Sequence, residues 1–199
     1  VMLGAQNCSE HTSGAYTGEI SAKMLKEAGA SYIVLGHSER RQYFGENEAL
    51  LVRKMERCFD EKLNVIYCCG ETQEERESGK LFSVIEHQIR NGLFHLNPDQ
   101  WENIVVAYEP VWAIGTGLTA SAEQAQEMHA FIRGLIADQF GKDLAQNVSI
   151  LYGGSVKPTN AAELFACGDI DGGLVGGASL NAESFLGIAD AYGNPTITG

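Results

Sequence analysis

Short apolar segments rich in β-branched residues alternate along the chain with amphipathic helical patterns, which leaves few architectures open. Most of these segments are apolar nearly throughout, as is typical of parallel strands covered on both faces. The predicted strands are residues 1–5, 32–36, 63–69, 104–109, 148–152 and 173–175. Capping boxes are predicted at two helix starts, Ser121 with Gln124 and Asn160 with Glu163. This order predicts a parallel α/β fold, either doubly wound or a barrel.

Polar residues and glycines follow several of the predicted strands, at positions 36–38, 68–71, 108–110, 152–155 and 175–177. A barrel collects its active site from all of its βα loops, whereas a doubly wound sheet concentrates ligands near one switch point. We therefore predict a (β/α)8 barrel, with residues 1–199 as a single domain. A closed barrel typically takes about 250 residues. Six β-α units are therefore expected here, with the N-terminal part of the barrel, about two units, missing before Val1.

Composition excludes several classes of function. The formal net charge of −12 argues against a protein that binds nucleic acid through the phosphate backbone. No apolar run is long enough for a transmembrane helix, so no membrane partner is expected. The cysteines lack C-x-x-C spacing, which predicts reduced thiols and a cytoplasmic protein instead of a disulfide framework or zinc site. They are Cys8, Cys58, Cys68, Cys69 and Cys167.

Glu109 ends an apolar strand and precedes Pro110, which disfavours helical geometry at the glutamate and so keeps the chain extended up to the carboxylate. A carboxylate at the mouth of an apolar wall loses hydration, and this favours its protonated form. A general base that works near neutral pH needs such an environment. The alternative is a solvated glutamate at a strand end.

The segment after Glu109 has an apolar tip, residues 112–114, between Pro110 and the glycines Gly115 and Gly117. An apolar tip between hinge-like residues predicts a lid that closes over the strand ends and excludes water. A loop packed permanently on a neighbour is the alternative. Residues 115–120 also match G-x-G-x-x-A, but five residues separate this match from its strand. The dinucleotide fingerprint follows its strand directly, so no nucleotide cofactor is predicted.

His37 follows a predicted strand and precedes a helix start at Ser38. The partial positive charge of a helix N-terminus opposes an imidazolium, so a neutral ring there could donate a hydrogen bond to a substrate carbonyl. A structural hydrogen bond is the alternative role. The histidines show no H-E-x-x-H or H-x-H spacing, and no metal site is predicted.

Glycine pairs at 153–154, followed by Ser155, and at 176–177 come after the last two predicted strands. Glycines allow backbone N–H groups to approach an anion closely, although they also serve simple turns. A phosphate site in the loops after the final two strands recurs in barrels. With the base, the histidine and the lid, these parts predict proton abstraction next to a carbonyl in a small phosphorylated substrate.

These motifs resemble the triosephosphate isomerase family across nearly the whole chain. The resemblance rests on Ala5-Gln6-Asn7, Gly36-His37-Ser38-Glu39-Arg40-Arg41, Cys69-Gly70-Glu71-Thr72, the segment from Ala107 to Gly117, Tyr152-Gly153-Gly154-Ser155 and Gly176-Gly177-Ala178-Ser179. It implies a TIM barrel and the interconversion of dihydroxyacetone phosphate and D-glyceraldehyde 3-phosphate through an enediolate, in glycolysis and gluconeogenesis, without a cofactor.

The resemblance also implies roles for particular residues. Glu109 would move the proton between the substrate carbons C1 and C2, and His37 would be the neutral electrophile. The substrate phosphate would be held by the backbone of four residues, Gly115, Ser155, Gly176 and Gly177.

Two further features follow from the resemblance. Members of the family are typically homodimers joined through a protruding loop, here the loop from Asn7 to Gly18. The family's Asn-x-Lys motif, whose lysine stabilises developing charge, has no counterpart in these 199 residues. The alternatives are another phosphate-binding barrel enzyme, a non-catalytic dimeric scaffold, or an inactive fragment of the same family.

Overall fold

The computed structural model describes residues 1–116 and 118–193. Gly117, the second glycine of the predicted lid, lies outside the described residues. The chain forms two compact units, one of Val1–Cys69 with His87–Val106 and the other of Gly70–Glu86 with Ala107–Gly199. The single domain over residues 1–199 stays a prediction.

The strands are β1 (Leu3–Ala5), β2 (Ala30–Leu35), β3 (Asn64–Cys69), β4 (Ile104–Tyr108) and β5 (Ile150–Tyr152). The helices are α1 (Ala22–Glu27), α2 (Ser38–Phe44), α3 (Glu48–Asp60), α4 (Gln73–Glu77), α5 (Leu81–Leu93), α6 (Ala122–Phe140), α7 (Lys142–Asn147), α8 (Ala161–Phe165) and α9 (Ala182–Gly193). Short 3-10 helices cover Pro98–Asn103, Val111–Ala113 and Gly177–Leu180. Within the described residues no helix is both long enough and apolar enough to cross a membrane.

In the first unit, β1, β2 and β3 lie side by side in that order and run parallel. Ile33 of β2 pairs with Val65 of β3, and both side chains are fully buried. Helix α3 covers this sheet with an apolar stripe, Leu51, Met55 and Cys58, whose spacing places the three side chains on one helix face. Parallel strands connected by helices confirm the α/β class predicted from the sequence.

In the second unit, the last residues of β4 lie beside β5, where the Gly153 amide donates to the Tyr108 carbonyl at 2.7 Å. The strand predicted at residues 173–175 is reduced to one parallel bridge between Tyr152 and Gly173. Glycine weakens a strand because it gives the unfolded chain more backbone entropy and brings no side chain to pack, and here Gly173 begins the segment directly after Gly172.

The two predicted capping boxes have different outcomes. Ser121 and Gln124 form theirs at the start of α6. Asn160 makes no side-chain cap to α8, so that prediction is wrong. Its side chain instead accepts from the Lys157 amide at 2.7 Å and donates to the Ser155 carbonyl at 3.1 Å. Asn160 therefore orders the loop after β5 that carries Ser155.

Candidate active site

His37 stands in the first unit, between β2 and α2, where it caps the helix. Its Nδ1 accepts a hydrogen bond from the Glu39 amide at 3.3 Å. A ring nitrogen that accepts carries no proton, so in this arrangement a neutral ring would carry its proton on Nε2. The preceding Gly36 has φ +75°, and a Cβ at Gly36 would lie 2.8 Å from a Leu51 methyl carbon. This tight turn at Gly36 fixes the position of the backbone of His37.

Arg41 braces the chain around His37, a role that the sequence reasoning missed. Its guanidinium donates to the Gly36 carbonyl at 2.8 Å and to the Cys68 carbonyl at 3.0 Å. A third bond, at 2.7 Å, reaches the carboxylate of Glu48. Arg41 thereby ties the ends of β2 and β3 together within the first unit. In the sequence, the only indication that Arg41 has a role was its position in the motif at residues 36–41.

Glu109 stands in the second unit directly after β4, and it is 1% exposed. Glu109 is therefore buried, and it is not the solvated strand-end glutamate that the sequence left open as an alternative. Two glycines lie against it: a Cβ on Gly70 would be 1.9 Å from the Glu109 carbonyl oxygen, and one on Gly153 would be 3.0 Å from its Cγ. The pair at 153–154 thus serves close packing, since a Cβ on Gly154 would meet Pro110 at 2.8 Å.

The start of the predicted lid is held in place. Residues Val111–Ala113 form one turn of 3-10 helix, and Ala113 is buried. The Trp112 indole donates from Nε1 to Glu71 Oε1 at 2.9 Å. Gly115 follows with φ +69°, in an exposed part of the segment. The apolar tip is therefore anchored at its tryptophan, and the glycine end stands in solvent.

Glu71 is the main residue that the sequence reasoning left without a role. Its carboxylate is fully buried, and Oε1 accepts from the Tyr108 hydroxyl at 3.1 Å and from Arg76 at 3.0 Å, in addition to Trp112. The Arg76 guanidinium also lies 4.7 Å from the centre of the Trp112 ring. The Glu71 main-chain carbonyl accepts from the Val111 amide at 3.2 Å. One side chain therefore links β4, α4 and the lid.

The residues predicted to hold phosphate all belong to the second unit. Ser155 follows β5, and Gly176 and Gly177 open the 3-10 helix Gly177–Leu180. The first amides of a helix have no partner inside it, so they can donate to an anion. Ser179 closes this turn by donating from its amide to the Gly176 carbonyl at 2.9 Å.

The structure thus groups Glu109 with Gly70, Gly153 and the anchored start of the lid in one unit. His37 lies in the other unit, and a cavity shared by His37 and Glu109 stays a prediction.

Comparison with known proteins identifies the family. The sequence model of triosephosphate isomerase matches residues 1–192. The triosephosphate isomerase of Chloroherpeton thalassium is 57% identical over 188 residues, which cover 94% of this chain and 75% of that protein. The enzyme of Phocaeicola vulgatus is 55% identical over 190 residues, 96% of this chain and 75% of the relative. That of Cytophaga hutchinsonii is 53% identical over 192 residues, with coverages of 96% and 76%. These matches confirm the resemblance carried by the motifs and, with the parallel strands and alternating helices, the barrel fold: the chain belongs to the triosephosphate isomerase family.

Proposed function

We propose that this chain performs the reaction of its family, the interconversion of dihydroxyacetone phosphate and D-glyceraldehyde 3-phosphate, with Glu109 as the base and His37 as a neutral electrophile. The observation that supports this most strongly is the burial of Glu109, which packs against two glycines directly before an anchored loop. Water competes poorly for a carboxylate that is buried in this way.

The reaction needs one carboxylate that first removes a proton from the substrate and then returns it at the neighbouring carbon. Glu109 removes a proton from C1 of dihydroxyacetone phosphate, the carbon next to the carbonyl, and negative charge develops on the carbonyl oxygen as the enediolate forms. A proton then moves from the oxygen on C1 to the oxygen on C2, the protonated Glu109 returns its proton to C2, and the C1–oxygen bond becomes the carbonyl of glyceraldehyde 3-phosphate. A base that is already in place for both steps avoids the cost of reorienting between them.

His37 would stabilise the enediolate by donating a hydrogen bond from Nε2–H to the developing oxygen anion. The Glu39 amide supports this role, because it occupies Nδ1 and leaves the proton of the neutral ring on the other nitrogen. A neutral imidazole can donate this hydrogen bond and still release the oxygen, whereas an imidazolium would hold the substrate oxygen in a tight ion pair.

Backbone amides of Gly115, Ser155, Gly176 and Gly177 would hold the substrate phosphate. The net charge of the chain is −12, so attraction of a dianion has to come from local donors and not from the overall field. The open first turn of the helix Gly177–Leu180 supplies such donors. The positive φ of Gly115 allows the lid backbone a conformation that other residues rarely adopt.

Replacement of the base tests this function. With the Glu109→Gln variant, we expect the rate of conversion of glyceraldehyde 3-phosphate, followed by coupled oxidation of NADH, to fall by about 10²–10⁴-fold, because a general base contributes that much. Glu163→Gln, which changes an exposed glutamate of α8 in the same unit, is the matched control and should keep the wild-type rate. A Glu109→Gln protein with the wild-type rate would refute the role of Glu109. A folded wild-type protein without turnover would support the non-catalytic scaffold instead.

We also propose that the chain forms a homodimer through the loop from Asn7 to Gly18. Tyr16 in this loop is 46% exposed, and its ring stacks on His11 with centroids 3.7 Å apart. An ordered aromatic pair at the surface of a loop is a suitable anchor for a partner. Light scattering should give twice the mass of one chain, and Tyr16→Asp should shift the protein to a monomer. Tyr192→Asp, at an exposed tyrosine of α9, should leave the dimer intact, and a dimer unaffected by Tyr16→Asp would refute this interface.

We further propose the cytoplasm as its compartment. All five cysteines are present as free thiols, although two of them lie in contact. Thiols persist in this form where glutathione and thioredoxin keep them reduced.

A further inference from the structure

Two buried cysteines of the first unit are in sulfur–sulfur contact. Cys8 lies in the irregular loop that follows β1, Cys58 lies in the last turn of α3, and their Sγ atoms are 3.6 Å apart. They are 2% and 0% exposed. A disulfide needs about 2.05 Å, so closure requires the two sulfur atoms to approach by about 1.5 Å. The loop can supply this movement more easily than the helix.

Charged groups beside the pair distinguish the two thiols. The hydrogen bond from Cys58 lowers the pKa of Cys8, and the nearby Lys54 ammonium adds to that effect against the opposing influence of burial. The same hydrogen bond, together with burial, raises the pKa of Cys58. Lys54 is itself held in place, because it donates to Asn7 Oδ1 at 2.7 Å and pairs with the buried carboxylate of Glu46. Cys8 is therefore the better nucleophile, and Cys58 keeps its proton.

We propose that Cys8 and Cys58 form a redox-responsive pair, which a peroxide converts to an intramolecular disulfide and a dithiol restores. In the first step the Cys8 sulfur attacks one peroxide oxygen, an S–O bond forms and the O–O bond breaks. The departing hydroxide takes the Cys8 proton and leaves as water. In the second step the Cys58 sulfur attacks the Cys8 sulfenic sulfur, the S–S bond forms and the S–O bond breaks. This hydroxide takes the Cys58 proton as a second water, so two thiols lose two electrons and one peroxide gains them.

The position of the pair makes this reaction selective. Cys8 belongs to a segment without helix or strand, where local opening costs less free energy than in the sheet, so a small peroxide can reach it. Cys68 and Cys69 are neighbours within β3, and successive strand residues point to opposite faces of the sheet. Burial and two nearby glutamates raise the pKa of Cys167, which slows its oxidation.

Peptide mapping of the wild-type protein tests the proposal. The reduced protein is treated with hydrogen peroxide, alkylated under denaturing conditions and digested with trypsin. We expect a cross-linked product that joins residues 1–23 to residues 58–62, lighter than the two separate peptides by two hydrogen atoms. Three of the five thiols should then react with the alkylating reagent, and dithiothreitol should restore all five.

Three variants assign the bond. Cys8→Ser and Cys58→Ser should each abolish the cross-linked product, whereas the matched control Cys167→Ser should keep it. The proposal is overturned if peroxide leaves the two wild-type peptides separate, if it oxidises Cys8 only to the sulfinic acid, or if the cross-link joins other cysteines. Because the wild-type map decides the matter alone, a variant that folds poorly does not weaken the test.

Discussion

A methyl group added at Gly70 should displace Glu109, the proposed base, without changing its carboxylate. A Cβ at this position would lie 1.9 Å from the carbonyl oxygen of Glu109, 2.9 Å from its carbonyl carbon and 3.2 Å from its Cβ. Ordinary contacts begin near 3.4 Å. The two segments must therefore separate by about 1.5 Å, and backbone on both sides has to move because no flexible side chain can yield.

The expected loss follows from that displacement. A misplacement of about 1 Å in a catalytic group costs about 10²-fold in rate, so Gly70→Ala should lower kcat by about 10²-fold or more. KM should change much less, because the backbone amides proposed to bind the phosphate lie after β5 and in the lid. Overpacking should also lower the free energy of unfolding by about 1–3 kcal/mol.

Steady-state isomerase kinetics, circular dichroism and urea unfolding measure these effects on the same samples. Gly168→Ala is the matched control, because it adds the same methyl group in the same unit where nothing lies within 4 Å. It should keep wild-type kinetics. A folded Gly70→Ala protein with wild-type kcat would refute the argument that the close approach at Gly70 positions Glu109.

Three other substitutions test the remaining contacts. Glu71→Gln removes the charge that accepts from Tyr108, Arg76 and Trp112, so the free energy of unfolding in urea should fall by about 1–3 kcal/mol and Trp112 emission should shift to the red. Arg41→Lys loses the planar fork that reaches two main-chain carbonyls and one carboxylate, and thermal unfolding should occur several degrees lower. Burial lowers the pKa of His129 to about 4, below the 6.5 of an exposed histidine, so the unfolded state binds more protons between these values. The wild type should lose about 3 kcal/mol of stability from this source as the pH falls from 6.5 to 4, and urea unfolding of His129→Gln across this range should lack that loss.

Each of these three predictions would be contradicted by a specific result. Trp112 emission that is unchanged in Glu71→Gln, measured with Trp101 replaced by Phe, would contradict the anchoring bond. An Arg41→Lys protein as stable as the wild type would mean that the guanidinium fork contributes little. Equal pH slopes for the wild type and His129→Gln would show that His129 does not titrate as a buried neutral ring.

The local sequence pattern predicted much of the fold and placed two candidate site residues, His37 and Glu109, directly after strands. Apolar segments identified the strands to within two residues at most ends, and polar residues at their ends identified His37 and Glu109. Glu71 was missed because its partner Trp112 is 41 residues away. Asn160 was predicted wrongly because its side chain bonds to Lys157 and Ser155 in preference to its own helix. Competition of this kind between partners is decided by packing, which no local pattern records.

The glycines of the candidate site also show that a local sequence pattern does not reveal which contacts a residue makes in the folded chain. From the sequence, the pair at 153–154 was a candidate for holding a phosphate, because glycine lets an amide approach an anion, and a simple turn was the alternative. In the structure Gly153 packs against the side chain of Glu109 and Gly70 packs against its main chain. A residue held by close backbone packing cannot move far, so a closing movement of the predicted lid would have to occur beyond the segment that this packing fixes.

The bonds to Glu71 limit where a closing movement of the predicted lid could begin. The Glu71 carbonyl holds the Val111 amide and its carboxylate holds the Trp112 indole, so Val111 and Trp112 are fixed together with Glu109. A hydrogen bond to a charged group contributes about 1.5–3 kcal/mol. A lid that turned at Pro110 would have to break both bonds, whereas one that turned beyond Trp112 would break neither. The cheaper movement would therefore leave Glu109 and Trp112 in place and displace only the residues toward Gly115.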